Sequence, residues 1–426
     1  MTDPLEPDIL IIGGGPAGST AAAFLAMRGR QVTLLEKEAH PRFHIGESLL
    51  PRNLDIFERL GVLDQVRGIG VHKPGAEFVS DRTGRSCPFP FAQALNQSRV
   101  FSYQVKRAEF DALLFRNAAA KGATTLENIR VTDIAFGAPG ERATVTANSA
   151  DGSTQKFRPR YVLDASGRDT FLASRTTKKT VNRYNNTAAV YAHYEGVERR
   201  QGDVEGYISI HLAEDGWFWL IPLTGGIMSV GFVGNQTVWK ERQGSMADVL
   251  DQKIAASPTV SARTRNATRV SEIFTAGNYS YRAHQGFGDQ YLMIGDAYGF
   301  VDPMFSTGVL MAMTAGELGA EAAHVWLDNP ARGQRLAART NRELARAMDR
   351  IGWLIYRIND PVMRSLFMAP KNVLWMRDGI INMLAGNLRG DPRAALPILS
   401  FKAVFHTLSF LHRRGLGPDM PEAVPA

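Results

Sequence analysis

Near the N-terminus, Gly13-Gly14-Gly15-Pro16-Ala17-Gly18 forms a G-x-G-x-x-G between an apolar run and a helix-forming segment. The missing side chains let the turn close and bring a pyrophosphate against backbone N–H groups at the positive end of a helix. Glu36 follows 23 residues after Gly13, where a carboxylate accepts hydrogen bonds from an adenosine ribose. By itself this motif suits FAD and NAD equally. Ser306-Thr307-Gly308 opens an apolar helix, so its backbone N–H groups point outward as an anion site. Trp217 and Trp219 alternate on a strand and send both indoles to one side. The everyday alternatives are a pair of core indoles and, for Lys73 in the turn-like Lys73-Pro74-Gly75, a solvated surface lysine.

These groups need elements to position them. Asp8–Ile12 reads as a buried strand, Ala17–Arg28 as a helix and Gln31–Glu36 as a second strand, together a βαβ unit. Arg107–Lys121 has helical spacing through Phe110, Leu113, Leu114 and Ala118. From Thr187 to Gly234, alternating runs such as Tyr207–Leu212, Trp217–Pro222 and Ile227–Val233 predict an antiparallel sheet with one covered face. Gly225-Gly226 marks a hairpin turn rather than a second dinucleotide loop. After the buried strand Tyr291–Ile294 the chain becomes mostly helical, with Leu344, Met348, Ile351, Ile355 and Ile358 on one stripe. Asp360-Pro361 and Asp391-Pro392 predict helix starts, and Gly386 a helix stop.

Composition narrows the class. The 426 residues are 44% hydrophobic and 21% charged, which excludes disordered and fibrous proteins. A formal charge of +7 without a long basic run or recognition motif argues against nucleic acid. The single cysteine, Cys87, excludes an internal disulfide and a Cys-based zinc site, so no metal is expected and a cytoplasmic location fits. Ile9–Ile12 is too short for a signal-peptide core. The greasiest region, Leu396–Leu411, is interrupted by Lys402 and His406 and predicts a core or partner-docking helix, with no membrane span.

Three further stretches separate FAD from NAD: Val105-Lys106-Arg107 ahead of Phe110-Asp111, YVLDASG at Tyr161–Gly167, and YLMIGD at Tyr291–Asp296. Together they resemble the aromatic-hydroxylase superfamily of flavoproteins. Trp217–Pro222 fits W-x-W-x-I-P, Lys73 lies downstream of Gly46-Glu47-Ser48, and Phe300–Gly308 fits F-x-x-P-x-x-S-x-G. With these, the chain resembles the flavin-dependent halogenases. The resemblance implies an α/β architecture: a Rossmann-like FAD-binding fold, an antiparallel-sheet substrate region and a helical C-terminal region. The expected divisions are 1–85, 100–172 and 275–330 for FAD, 86–99 and 173–274 for the substrate sheet, and 331–426 for the helices.

It also implies FAD used as FADH2, with O2 and chloride or bromide. FAD would be held by Gly13, Gly15, Pro16, Ala17, Gly18, Glu36, Gly46, Ser48, Arg107, Asp164, Gly295, Asp296 and Pro303. Thr307 and Gly308 would bind halide, or else hold only the flavin pyrimidine carbonyl. Trp217, Trp219, Ile221 and Pro222 would wall the substrate chamber from the flavin, and Lys73 would be catalytic, as a desolvated amine that binds or captures the oxidised halogen. Halogenases acting on free tryptophan carry a glutamate immediately before the Ser-Thr-Gly, where this chain has Phe305. That departure favours a phenol or pyrrole, free or borne by an acyl or peptidyl carrier protein. With no second dinucleotide loop, reducing equivalents come from transient NAD(P)H contact with FAD or from a separate flavin reductase. The alternatives are an aromatic hydroxylase or other flavin oxidoreductase on the same scaffold, and a flavin-binding or carrier-docking protein without turnover.

Overall fold

The computed structural model describes residues 4–95, 98–182, 187–277, 280–370, 372–388, 390 and 392–416. The apolar runs at Ile9–Ile12, Val32–Leu35 and Tyr161–Asp164 are buried on both faces, as a parallel sheet requires. They pair in parallel with Tyr291–Met293 and Thr124–Leu126 in the order 291–161–9–32–124. The glycine loop leaves the carboxyl end of the first strand and enters the helix Pro16–Ala26, which has Pro16 in its first turn and no side-chain cap. The helix Thr307–Asp328 crosses it closely, and a Cβ on Gly316 would stand 2.4 Å from the Ala17 carbonyl oxygen.

The second layer is an eight-stranded sheet containing Thr187–Glu195, Met228–Asn235, Gly216–Pro222 and Ile208–Leu212 in antiparallel succession. Alternation gives it two apolar faces. Tyr191, Ile208, Ile210, Trp217, Trp219 and Ile221 join the main core. Val190, Phe218, Leu220, Val230 and Phe232 form a separate core with Val249, Leu250 and Val260 of two covering helices. The strand Gly75–Ser80, expected in the first FAD segment, instead pairs with Ile208–Leu212 on one side and Ser86–Pro90 on the other. An expected division at 85/86 cuts this hairpin, because both of its strands belong to the eight-stranded sheet.

The helices Pro330–Ile355, Pro361–Met368, Met376–Leu384 and Pro392–Arg413 complete the chain. Asp360 caps as its sequence predicts, its Oδ1 accepting the Val362 and Met363 amides, and Gly386 follows the end of a helix at φ 92°. Asp391 lies outside the described residues. Pro392–Arg413 is long and apolar enough to cross a membrane by length and composition, contrary to expectation for that region. It contains Pro397, and its Phe401 and Phe405 are buried beside Trp353.

Gly231 lies opposite Trp219 in the sheet, and a Cβ there would come within 2.2 Å of the indole. Gly231→Ala is therefore expected to lower the unfolding midpoint by an amount corresponding to about 1–3 kcal/mol, read by calorimetry. A midpoint unchanged from the parent would show that the indole has room to move.

Candidate active site

A cavity of about 780 Å³ opens along the carboxyl edge of the parallel sheet, of a size that suits a dinucleotide. It is lined by Gly13, Gly15, Pro16, Ala17, Glu36, Gly46, Ser48, Arg107, Asp296, Pro303 and Gly308, all expected at the site, and by Trp219. Its walls also carry Lys37, Arg42, Arg130, Arg168 and Arg175. With Arg107 these give six cationic side chains against four carboxylates, Glu36, Glu38, Asp169 and Asp296, a balance suited to a diphosphate.

Gly13 has φ 99°, and a Cβ there would lie 2.4 Å from the Ala165 carbonyl; on Gly18 it would lie 1.9 Å from the Gly13 carbonyl. Gly18 thus serves close packing beneath the loop rather than the cavity wall. Glu36 is buried, and its Oε2 accepts the Gly14 amide at 2.7 Å and Arg42 at 3.1 Å. Arg42 also reaches Asp111 at 3.3 Å, and Arg107 grips Asp111 through two hydrogen bonds of 2.8 and 2.9 Å. Burial alone would push the Asp111 carboxyl up. The charge and hydrogen bonds of Arg107, with His44 and Arg42, instead hold it below its ordinary value. Burial and the Arg107 charge depress His44 to about 4, so the imidazole is neutral near pH 7.

Not every expected residue meets the cavity. Asp164 is completely buried, with its oxygens accepting the amides of Ser166 (2.9 Å) and Leu172 (2.7 Å). It shapes the turn whose Ala165, Ser166 and Gly167 line the cavity, and itself stands outside that lining. Gly295 is a packing glycine at φ 60°, where a Cβ would stand 3.0 Å from that of Ala17. The helix at Thr307 begins after Ser306 in a left-handed conformation (φ 57°), with neither a side-chain cap nor an acidic first turn. Its positive end therefore faces the cavity through Ser306 and Gly308, while the Thr307 side chain is buried.

Trp217 and Trp219 share a face, with ring centroids 6.0 Å apart. The Trp219 indole donates to Ser229 at 3.1 Å and borders the cavity; Trp217, Ile221 and Pro222 lie outside its lining. Lys73 also lies outside it. This lysine is 1% exposed, donates from Nζ to the Leu49 carbonyl at 2.8 Å, and sits 5.3 Å from the centre of the Phe91 ring. Desolvation lowers it to about 7. Phe305 and Phe367 both pack on Phe78, and Phe367 also meets Phe89, in an aromatic cluster. Sequence reasoning missed Arg42, Phe43 and Arg168, which line the cavity. Arg42, six residues after Glu36, was the findable one, because a cation near the ribose carboxylate had an obvious partner.

The residues fit FAD: a glycine cradle that added side chains would fill, a buried carboxylate at the ribose position, and a cationic wall. Fold and site together define an FAD-binding flavoprotein. A family model described as "FAD binding domain" matches residues 6–348. A flavin-dependent halogenase of Metacordyceps chlamydosporia is 31% identical over 82% of this chain and 70% of its own length. The tryptophan 2-halogenase of Chondromyces crocatus is 33% identical over 75% of this chain, which spans 61% of that relative's length. A 1H-pyrrole-2-carbonyl-[peptidyl-carrier protein] chlorinase of Pseudomonas fluorescens is 29% identical, covering 74% of each. Among solved structures, the myxobacterial chondrochloren halogenase superposes with a TM-score of 0.79 at 30% identity, over 98% of this chain and 95% of that one. The chain belongs to the flavin-dependent halogenase family.

Burial raises Asp296 to about 6, against the opposing charges of Arg107 and Arg168. A carboxyl whose folded value lies above its unfolded one costs stability once ionised, on the order of 3 kcal/mol here. Asp296→Asn is therefore expected to raise the melting temperature of the FAD-free protein. The gain should be small near pH 4, grow through pH 6 and stay level above it, while FAD retention on gel filtration falls. A gain that is flat with pH would remove the buried carboxylate from the account.

Proposed function

We propose that this protein is an FADH2- and O2-dependent halogenase that places chloride or bromide on an electron-rich aromatic ring such as a phenol or pyrrole. The observation that carries this reading is Lys73: a fully buried amine outside the flavin cavity, against an aromatic ring. A hydroxylating flavoprotein delivers oxygen directly to substrate and has no use for such a lysine. Reduced FAD, when bound, supplies the electrons for FADH2 + O2 + X⁻ + H⁺ → FAD + HOX + H2O.

The chain's own residues then have distinct tasks. Glu36, Arg107, Asp296 and the glycine loop orient the cofactor, with Gly46, Ser48 and Pro303 closing the cavity around it. The uncapped helix start at Thr307 and Gly308 collects halide, since its free amides and positive dipole favour an anion. Trp217 and Trp219, with Ile221 and Pro222, keep the aromatic substrate from the flavin. Lys73, near 7, is present both as ammonium and as free amine at neutral pH. Its N–H donates to the oxygen of the hypohalous acid, so that the ring attacks halogen and water leaves: ArH + HOX → ArX + H2O. Phe305 offers no carboxylate to take the ring proton, which suits phenols and pyrroles, whose rings need no such help.

The carrier-bound form of the substrate is favoured by the pyrrole chlorinase among the relatives and by the +7 charge, which complements an acidic carrier domain. Without a second dinucleotide loop in the sequence, we assign the reduction of FAD to a separate reductase, and we place the reaction in secondary metabolism in the cytoplasm.

Mass spectrometry of products formed from reduced FAD, O2, bromide or chloride and a panel of phenols and pyrroles should show the halogen isotope pattern. Products carrying only added oxygen would make the protein a hydroxylase. Lys73→Met is expected to abolish the halogenated product. Because a lysine depressed from 10.5 to about 7 is penalised in the fold, the same substitution should raise the melting temperature. That gain should be largest at pH 7 and below and shrink toward pH 10. Full halogenation by Lys73→Met would end the role of the lysine.

A further inference from the structure

Charge is not spread evenly along this chain. Residues 331–426 hold 15 Lys+Arg and 7 Asp+Glu, a net +8, so the first 330 residues carry −1 of the total +7. Residues 392–416 contain no carboxylate, while Arg393, Lys402, Arg413 and Arg414 punctuate a run of aliphatic and aromatic side chains. A charge excess confined to one end of a chain points to an anionic partner at that end.

The helix Pro392–Arg413 presents an apolar side to solvent. Phe401 and Phe405 are buried beside Trp353, and Pro397 packs on Gly379 of the preceding helix, which fixes the inner face. Leu396, Leu399, Ala403 and Phe410 recur at intervals of three, four and seven residues and so share one stripe. All four are exposed, Leu396 and Leu399 at 59% and 63%. The turn Val373–Trp375 touches the same helix, and each of its three side chains is more than half exposed. Leu374 and Trp375 lie at φ 52° and 55°, a region costly for such side chains, and the chain buries neither in return. Cations accompany these groups. Arg414 lies over the Phe410 ring at 4.4 Å and Lys402 over Trp353 at 4.7 Å. Burial and the charges of Arg357 and Arg350 lower the proton affinity of Lys402.

Such a helix has three ways to cover its outer face. Spanning a bilayer would pull Phe401 and Phe405 out of the core. Pairing with a second copy would set Arg393, Arg413 and Arg414 against the same residues, whichever way the helices ran, with no carboxylate in either helix to meet them. Lying on a lipid surface suits the order of residues: aliphatic side chains enter the acyl boundary, guanidiniums at both ends stay among the phosphates, and tryptophan sits at headgroup level. We propose that the outer stripe of Pro392–Arg413, with the Val373–Trp375 turn, seats this protein on the surface of an anionic phospholipid bilayer. The inference stands apart from the halogenase reading, since none of its residues lines the flavin cavity.

The FAD-loaded protein is sedimented with vesicles of phosphatidylcholine, alone or with about 30% phosphatidylglycerol. Binding should be at least about tenfold tighter to the mixed vesicles, and most of it should disappear by roughly 0.5 M salt, where screening is short-ranged. Leu396→Ser combined with Leu399→Ser should weaken that binding at least about tenfold, because two apolar side chains no longer leave water. Its melting temperature should match the parent, as both positions are exposed. A second readout uses a variant that keeps the stripe. Phosphatidylglycerol with brominated chains should quench tryptophan fluorescence in the parent, and Trp375→Phe should remove most of the quenching. No sedimentation with mixed vesicles at low salt, equal binding by the double serine variant, or quenching that survives in Trp375→Phe overturns the proposal. A dimer that Leu399→Ser dissociates, formed by a protein that ignores vesicles, overturns it in favour of a second copy.

Discussion

Two helices, Pro16–Ala26 and Thr307–Asp328, cross so closely that Gly316 has no room for a side chain above the Ala17 carbonyl. Both carry their N-termini to the same cavity, and neither has a side-chain cap there. An uncapped start leaves amides that call for an anion or a carbonyl. Because the crossing is fixed by small residues, with Gly295 tucked between Ala17 and Ala312, the two positive ends are held at a set distance. The rest of the site follows from that crossing: one helix start is the one we assign to the diphosphate, the other the one we assign to the halide, and the sheet bearing Trp219 borders the same cavity.

Lys73 shows the opposite economy. Its neighbours offer it one acceptor and an aromatic face, so its charge is poorly supported and its affinity for a proton falls. A tighter cage of carboxylates would stabilise the fold and leave the amine permanently charged. The strands beside it repeat the pattern: the buried hydroxyls of Ser48 and of Ser102, which pairs with Lys73, have no hydrogen-bond partner among the described residues. Stability is given up locally around the amine, while the parallel sheet and the crossing helices pack mainly through apolar side chains.

Much of this was readable before any coordinates. The glycine loop, its flanking strands and Glu36 announce themselves because phosphate binding demands a fixed local order of residues. The tryptophan strand is visible because alternation is a local property. What escaped notice depends on contacts far apart in the chain. Arg42 binds Asp111 across 69 positions, and Phe367 reaches Phe78 from the C-terminal helices. Asp164 is a related case: a conspicuous acid in a glycine turn reads as a cofactor contact, while its observed partners are backbone amides two and eight residues on, and it stands outside the cavity lining. The Gly75–Ser80 strand was assigned elsewhere because the partner that joins its hairpin to the eight-stranded sheet lies more than a hundred residues downstream.

The flavin cavity draws its lining from residue 12 through residue 312. Its floor is laid by the first βαβ unit, yet Asp296, Pro303 and the helix after Ser306 arrive only when most of the chain has been synthesised. Until they emerge the cavity lacks one wall, although Glu36, which accepts the Gly14 amide, is already in the chain. The complete cavity therefore exists only late in synthesis, and the helix from Thr307 brings the last part of its lining.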